Sequence, residues 1–273
     1  MVVLFSSVEG VEPQSETVWK QANKYKIPRI AYINKMDRKG ANFLKVCKDI
    51  KNIFNIHPII LQLPLIKNDK FIGVIDLIYK KQIIWENKNY GMKYKEVEIP
   101  SNMDSIIKKY ENKILETLSE YDDEIMNKFL SKKIIKEKKI IKIIKKETCK
   151  MNIVPIFCGS SFKNKGVQKI LDAICMYLPS PLNYKKIKGK NLLNKKKIYI
   201  VPKYNNFFCS LVFKISTDKF VGKLVFIRVY SGKLKLGDFV YNPRTKKKEK
   251  ISRMYQMHAN KQIPIKKILA GDI

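Results

Sequence analysis

The chain has 273 residues of which 45% are hydrophobic, enough for one large domain or two ordinary ones and too apolar for a chain disordered throughout. Its formal net charge of +32 suits a partner rich in phosphate, although Lys outnumbers Arg about tenfold and the wealth of Ile, Asn, Tyr and Phe is what an A/T-rich genome encodes whatever the function. No apolar run nears the ~18 residues needed to span a bilayer and MVVLF lacks the charged start and cleavage site of a signal peptide, so a soluble, cytoplasmic protein is expected.

MVVLF reads as a buried strand, with Ser6 to Gly10 as the loop after it. Pro13 suits the first position of a helix through QSETVWKQANKY, with Val18, Ala22 and Tyr25 at helical spacing. RIAYI predicts a second buried strand that carries NKMD at its C-terminal end. The next helix sets Phe43, Val46, Cys47, Ile50, Ile53 and Phe54 on one face. Strand, helix, strand, helix predicts a parallel sheet covered by helices.

From about residue 55 to 148 an insert interrupts this pattern. FIGVIDLIY and KQIIWEN, with NYGM as a turn, predict a small antiparallel sheet, and residues 102–148 carry Ile and Leu at helical spacing. KKIIKEKKIIKIIKK reads as a packed helix with a solvated Lys face rather than a membrane or RNA-binding helix. The parallel pattern resumes at NIVPIFCGSS. A helix from about Lys165 then turns Val167, Ile170, Leu171, Ile174 and Leu178 inward, and LPSPL stops it.

Residues 183–203, rich in Lys and Asn, read as a linker. Beyond Phe207 the period becomes two, and SLVFKIS, KLVFIRVYSG, KLKLGDFVYN and KEKISRMYQM predict a small β-barrel. The fold expected is an α/β domain over residues 1–182 with an α+β insert, followed by an all-β barrel over 204–273.

Cys47, Cys149, Cys158, Cys175 and Cys209 are irregularly spaced and fit buried thiols in a reducing compartment. His57 and His258 lie far from any Cys cluster, so a structural role is expected for both and no zinc site. The carboxylates of YDDE at 121–124 read as charge balance on a Lys-rich helix. No residue stands out as a general base or nucleophile.

NKMD offers the chemistry of a purine pocket. Guanine differs from adenine in presenting two adjacent donors, the hydrogen on N1 and the amine on C2, and the carboxylate of Asp37 can accept from both. A base without those donors leaves the carboxylate desolvated and unpaired, which supports selectivity of roughly a thousandfold or more. Asn34 brings an amide able to meet the base's seven-position nitrogen or to brace neighbouring loops. The stem of Lys35 can lie over a ring face while its ammonium stays wet. Met36 faces the other way, as a packing residue.

In open α/β sheets ligands bind outside the carboxyl ends of strands, where this group falls. GSS at 159–161 ends another parallel strand, and the amides and hydroxyl of Ser160 are placed to cover the base oxygen and the rear of Asp37. The competing reading makes Ser160 a helix cap.

GVEPQSETVWKQANKYKIPRIAYINKMDRKGANF, CGSSFKNKGVQKILDAICMYLPSPL and DKFVGKLVFIRVYSGKLKLGD resemble the elongation factor G family, bacterial or organellar GTPases of ribosomal translocation. The resemblance covers nearly the whole chain. It implies a partial P-loop GTPase domain with its inserted subdomain and a truncated barrel, with Asn34, Lys35, Met36 and Asp37 reading guanine and Ser160 and Ser161 in the last nucleotide loop. The family usually has Ala at the position of Ser161.

It further implies GTP or GDP as ligand, Mg2+, and the ribosome as partner through rRNA and the stalk proteins. A monomer is expected, in the cytoplasm or an organellar matrix or stroma. Ribosomal protection factors, release-factor GTPases and a non-enzymatic ribosome- or RNA-binding remnant remain as alternatives. No GxxxxGK followed by Ser or Thr occurs, nor does the second phosphate-contacting loop. An internal fragment is therefore expected, inactive alone, with VVLF as an unpaired sheet edge, Mg2+ ligands outside it, and nucleotide affinity nearer millimolar than nanomolar.

Overall fold

Val2–Ser6 forms β1, and Pro13 then starts α1 (Pro13–Lys24), which leads to β2 (Ile30–Asn34), α2 (Phe43–Phe54) and β3 (His57–Ile60). The insert follows as β4 (Gln62–Lys67), β5 (Lys70–Asp76), β6 (Lys81–Trp85), β7 (Tyr94–Glu98), α3 (Asp104–Ser119), α4 (Asp123–Leu130) and α5 (Glu137–Lys150). β8 (Ile153–Cys158) and α6 (Val167–Tyr177) complete this part. The computed structural model describes residues 1–86, 90–183, 187–191, 194, 196–218, 222–259 and 261–273. Asn89 of the expected NYGM turn, six residues of the expected linker (184–186, 192, 193 and 195) and Lys219, Phe220 and Val221 of the DKFVG segment lie outside the described residues.

The chain divides into two units, Met1–Pro179 and Ser180–Ile273. In the first, a parallel sheet has the strand order β1-β2-β8-β3, so β2 and β8 are central. β2 is buried on both faces, as parallel strands under helices are, and Ile30 and Ile33 are fully enclosed. Each such isoleucine contributes about 1.5–3 kcal/mol by leaving water. β1 is an edge strand whose Leu4 is 59% exposed, in keeping with the unpaired edge anticipated for VVLF.

The helices cover this sheet with faces that differ in part from those expected. In α1 the buried residues are Trp19 and Ala22, while Val18 and Tyr25 are exposed. Trp19 stacks on Phe54 with ring centroids 4.1 Å apart, and the buried Arg29 guanidinium lies 4.4 Å over the indole. Burial lowers the Arg29 pKa, and bonds from its guanidinium to the Trp19 carbonyl and Asn23 Oδ1 satisfy it. The α2 face is Phe43, Val46, Cys47 and Ile50, with Ile53 exposed; α6 buries Ile170, Ala173 and Tyr177 and exposes Leu171.

The insert begins later than residue 55, because β3 pairs with β8 and belongs to the parallel sheet. Its own sheet is antiparallel, β4-β5-β6-β7. The helical region is three helices: Asp122 caps α4 by accepting from the Ile125 amide, and Lys132 turns left-handed (φ 52°) after it. KKIIKEKKIIKIIKK is helical only from Glu137, and α5 buries Ile140, Ile143 and Ile144.

The second unit is antiparallel, in two-stranded ladders. β9 (Ile187–Lys190) pairs with β10 (Lys197–Ile200), inside the segment expected to be a linker. β11 (Cys209–Asp218) pairs with β12 (Gly222–Ser231), and β13 (Lys233–Lys235) with a later strand, β18 (Lys267–Leu269). Between them β14 (Phe239–Asn242) pairs with β15 (Lys247–Lys250), and β16 (Tyr255–His258) with β17 (Lys261–Pro264). KLKLGDFVYN and KEKISRMYQM thus each break into two strands. Bonds from Gly237 N to the Ile251 carbonyl and from Ile251 N to the Asp238 carbonyl tie the breaks together. A small core of Val229, Leu234 and Ile268 holds this unit, and among the described residues its ladders do not join into a closed barrel.

Candidate functional site

Three strand ends share one rim of the parallel sheet. Ser6 of β1 is in register with Asn34 of β2, and Ile33 of β2 with Cys158 of β8. The loop Asn34–Asp37 therefore lies between the loop after β1 and the loop after β8. Both neighbours hold it by its backbone: Ser7 N donates to the Asn34 carbonyl (2.9 Å), the buried Ser7 Oγ to the Lys35 carbonyl (2.9 Å), and Met36 N to the Gly159 carbonyl (3.1 Å). These bonds keep Lys35 in a left-handed conformation (φ 62°), unusual for a residue with a Cβ.

The expected residues take different stations. Asn34 Oδ1 accepts from both Ser161 N (2.9 Å) and Ser161 Oγ (2.8 Å), so the amide braces the two loops together. The Lys35 side chain is exposed, and its ammonium pairs with Glu9 at 3.2 Å. Met36 is buried in the core. Asp37 is partly buried and, among the described residues, its carboxylate makes no hydrogen bond or ion pair; it lies in the field of the Lys165 ammonium.

Ser160 is fully buried: its N–H donates to the Lys165 carbonyl (2.8 Å), and its Oγ accepts from Lys163 N (3.3 Å). Its hydroxyl thus closes its own loop, while Gly166 holds the N-cap position of α6. Ser161 is exposed beside Asn34.

The 159–166 loop is drawn tight. A Cβ at Gly159 would come 2.2 Å from the Tyr32 hydroxyl and 2.3 Å from the Lys165 carbonyl, and Gly166 has a φ of +89° that only glycine adopts easily. Tyr32 Oη donates to the Lys165 carbonyl (3.2 Å), and burial raises the pKa of that phenol well above normal. Lys165 Nζ reaches the Phe71 carbonyl at 3.2 Å, and its pKa is lowered by burial, with Asp37 opposing.

Glu9, Ser7, Tyr32 and Lys165 escaped the sequence reading. The available signal was topological, since loops following neighbouring parallel strands share one rim. Val8, Glu9, Lys35, Arg38 and Lys39 line an open depression of about 470 Å³, which Asn34 and Asp37 do not line. The Glu9 pKa is lowered, first by its backbone bond and then by Lys35.

The arrangement can read a base edge with the Asp37 carboxylate, supply a donor from Asn34 Nδ2, and place a lysine stem beside it. Among the described residues no group of three or more His, Cys, Asp and Glu gathers to hold a metal, and the YDDE carboxylates serve the Asp122 cap and pairs with Lys128 and Lys139. His57 and His258 are exposed. All five cysteines are free, Cys47 and Cys158 buried and Cys175 exposed, against the expectation that all are buried. No described helix is long and apolar enough to cross a membrane.

Residues 1–180 match the family of the elongation factor Tu GTP-binding domain, and residues 207–273 match elongation factor G domain 2. The whole chain is 55% identical to 40% of an elongation factor G from Karelsulcia muelleri (strain GWSS) and 50% identical to 38% of one from Amoebophilus asiaticus (strain 5a2). It therefore spans about two fifths of the length of these relatives. A crystal structure from Thermus thermophilus superposes with a TM-score of 0.79, 98% of this chain on 37% of that one, at 22% identity, which speaks for the fold.

Proposed function

Because the chain belongs to the family of the elongation factor Tu GTP-binding domain, with elongation factor G domain 2 following it, we propose that it is the guanine-reading part of a translocase. In a protein of its relatives' length, GTP binding and hydrolysis would promote movement of tRNA and mRNA during protein synthesis. The observation that carries the base reading is the Asp37 carboxylate, which among the described residues has no hydrogen-bond or ion-pair partner at the rim of the sheet while the residues around it are bonded. Elongation factor G as the name of the relatives at 50–55% identity supports translocation over ribosome protection, peptide release or an RNA-binding remnant.

The division of labour follows from the donors present. Asp37 accepts from N1 and the C2 amine of guanine, and an adenine would leave it unpaired. Asn34, Lys35 and the Ser160–Ser161 loop orient the base, and Met36 anchors the loop from below. The nucleotide supplies the phosphoanhydride bond whose hydrolysis drives the factor. Among the described residues no group of three or more His, Cys, Asp and Glu gathers, and we assign the phosphate and metal contacts to other groups of a protein of its relatives' length. rRNA and the stalk proteins are the proposed partners, a monomer the proposed state, and the cytoplasm or an organellar matrix or stroma the proposed location.

The test uses GMP and XMP, which differ at the C2 substituent. Ligand-observed NMR titration of the 273-residue chain is expected to show GMP bound in the millimolar range and preferred over XMP and AMP. Asp37→Asn is expected to abolish or reverse the preference for GMP over XMP. An unchanged ratio in a folded variant overturns the assignment.

A further inference from the structure

In the loop after β8 the structure gives the hydroxyl of Ser161 a partner. Asn34 Oδ1 receives two bonds from this one residue, 2.9 Å from its amide and 2.8 Å from its Oγ. An alanine there keeps the first bond and loses the second. The Ser161 amide, which can only donate, already sets which end of the carboxamide is the oxygen; one bond still lets the planar group rock about its last torsion, and the second bond, from the hydroxyl, narrows that rocking. Among the described residues Nδ2 has no partner, so fixing Oδ1 leaves Nδ2 as the open donor of the loop. The bond from Met36 N to the Gly159 carbonyl and that from Gly159 N to the Ile33 carbonyl, at 3.1 and 3.0 Å, hold the two loops in this register.

We propose that Ser161 is a positioning residue for base recognition: its hydroxyl locks the Asn34 carboxamide so that Nδ2 donates to the seven-position nitrogen of a bound guanine. This rests on the guanine reading above and adds to it a dependence on one hydroxyl. The lock acts on a single base atom, because N1 and the C2 amine belong to Asp37. A hydrogen bond of this kind is worth about a threefold to tenfold change in affinity.

The experiment compares GMP with 7-deaza-GMP, in which a C–H replaces the acceptor nitrogen and the Watson–Crick edge is unchanged. NMR titrations are run on the wild-type chain, Ser161→Ala and Ser161→Thr. Wild type is expected to prefer GMP. Ser161→Ala is expected to bind GMP about threefold to tenfold more weakly, with 7-deaza-GMP affinity unchanged, and Ser161→Thr, which keeps the hydroxyl, to retain the preference. Equal weakening toward both ligands, no weakening toward either, or a wild type that binds the two alike overturns the lock. A wild type that fails to prefer GMP over AMP overturns the guanine reading itself, a result separable from the others.

Discussion

At the scale of single residues, burial decides which carboxylates are available. Asp37 keeps an open rim position, whereas Asp76, at the end of β5, is turned inward and accepts from Ile78 N and Tyr79 N, both at 2.9 Å. Burial raises the Asp76 pKa above its ordinary 3.8, against the pull of those two amides and of Lys169. A raised folded-state value means that the stability associated with the protonated form is complete below 3.8 and is lost as pH rises through the folded pKa. Asn imitates the protonated form and can accept the same two bonds. Asp76→Asn is therefore expected to match wild type at acid pH and to exceed it at pH 7, in urea unfolding at both values; a gap that is constant or reversed in sign refutes this.

The same scale explains part of what the sequence concealed. The identities of Asn34 and Asp37 could be matched to a purine edge from chemistry alone. That Asn34 turns its oxygen to Ser161 while Lys35 meets Glu9 depends on residues 127 and 26 positions away.

At the scale of elements, periodicity located the strands and helices and missed which side of several helices packs. Val18 and Leu171 satisfy helical spacing yet face water, because the flanking positions, Trp19 in α1 and Ile170 in α6, fill the space against the sheet. The break between α3 and α4 has a local cause in Asp122, whose carboxylate caps Ile125 N at 3.1 Å and meets Lys139 at 3.1 Å. Asp122→Ala is expected to cost about 1 kcal/mol in urea unfolding, as a lost N-cap does. Glu124→Ala is expected to cost less, because its bridges to Lys128 and Lys139 are exposed and screened. If Glu124→Ala is the more damaging, the charge network and not the cap sets the boundary.

At the scale of the whole molecule, charge is the property that acts at a distance. With a formal net charge of +32, RNA held mainly through phosphates is expected to dissociate steeply with salt, losing roughly a thousandfold to a hundred-thousandfold between 50 and 200 mM if about 6–10 phosphates are neutralised. Filter binding to ribosomal RNA across that range measures the slope. A flat response would mean that the lysines are compositional and contact no backbone.

By itself the sequence determined the alternation of parallel strands and helices, the place of the insert in that order, and the residue types at the rim, since each rests on local period and on side-chain chemistry. Only the tertiary structure decided the strand order β1-β2-β8-β3, the membership of β3 in the parallel sheet and the pairing inside the supposed linker. It also decided which donors of the rim are already taken. The reason is that hydrogen-bond partners and burial are set by chain segments remote in sequence, and a local pattern carries no record of which segment arrives beside it.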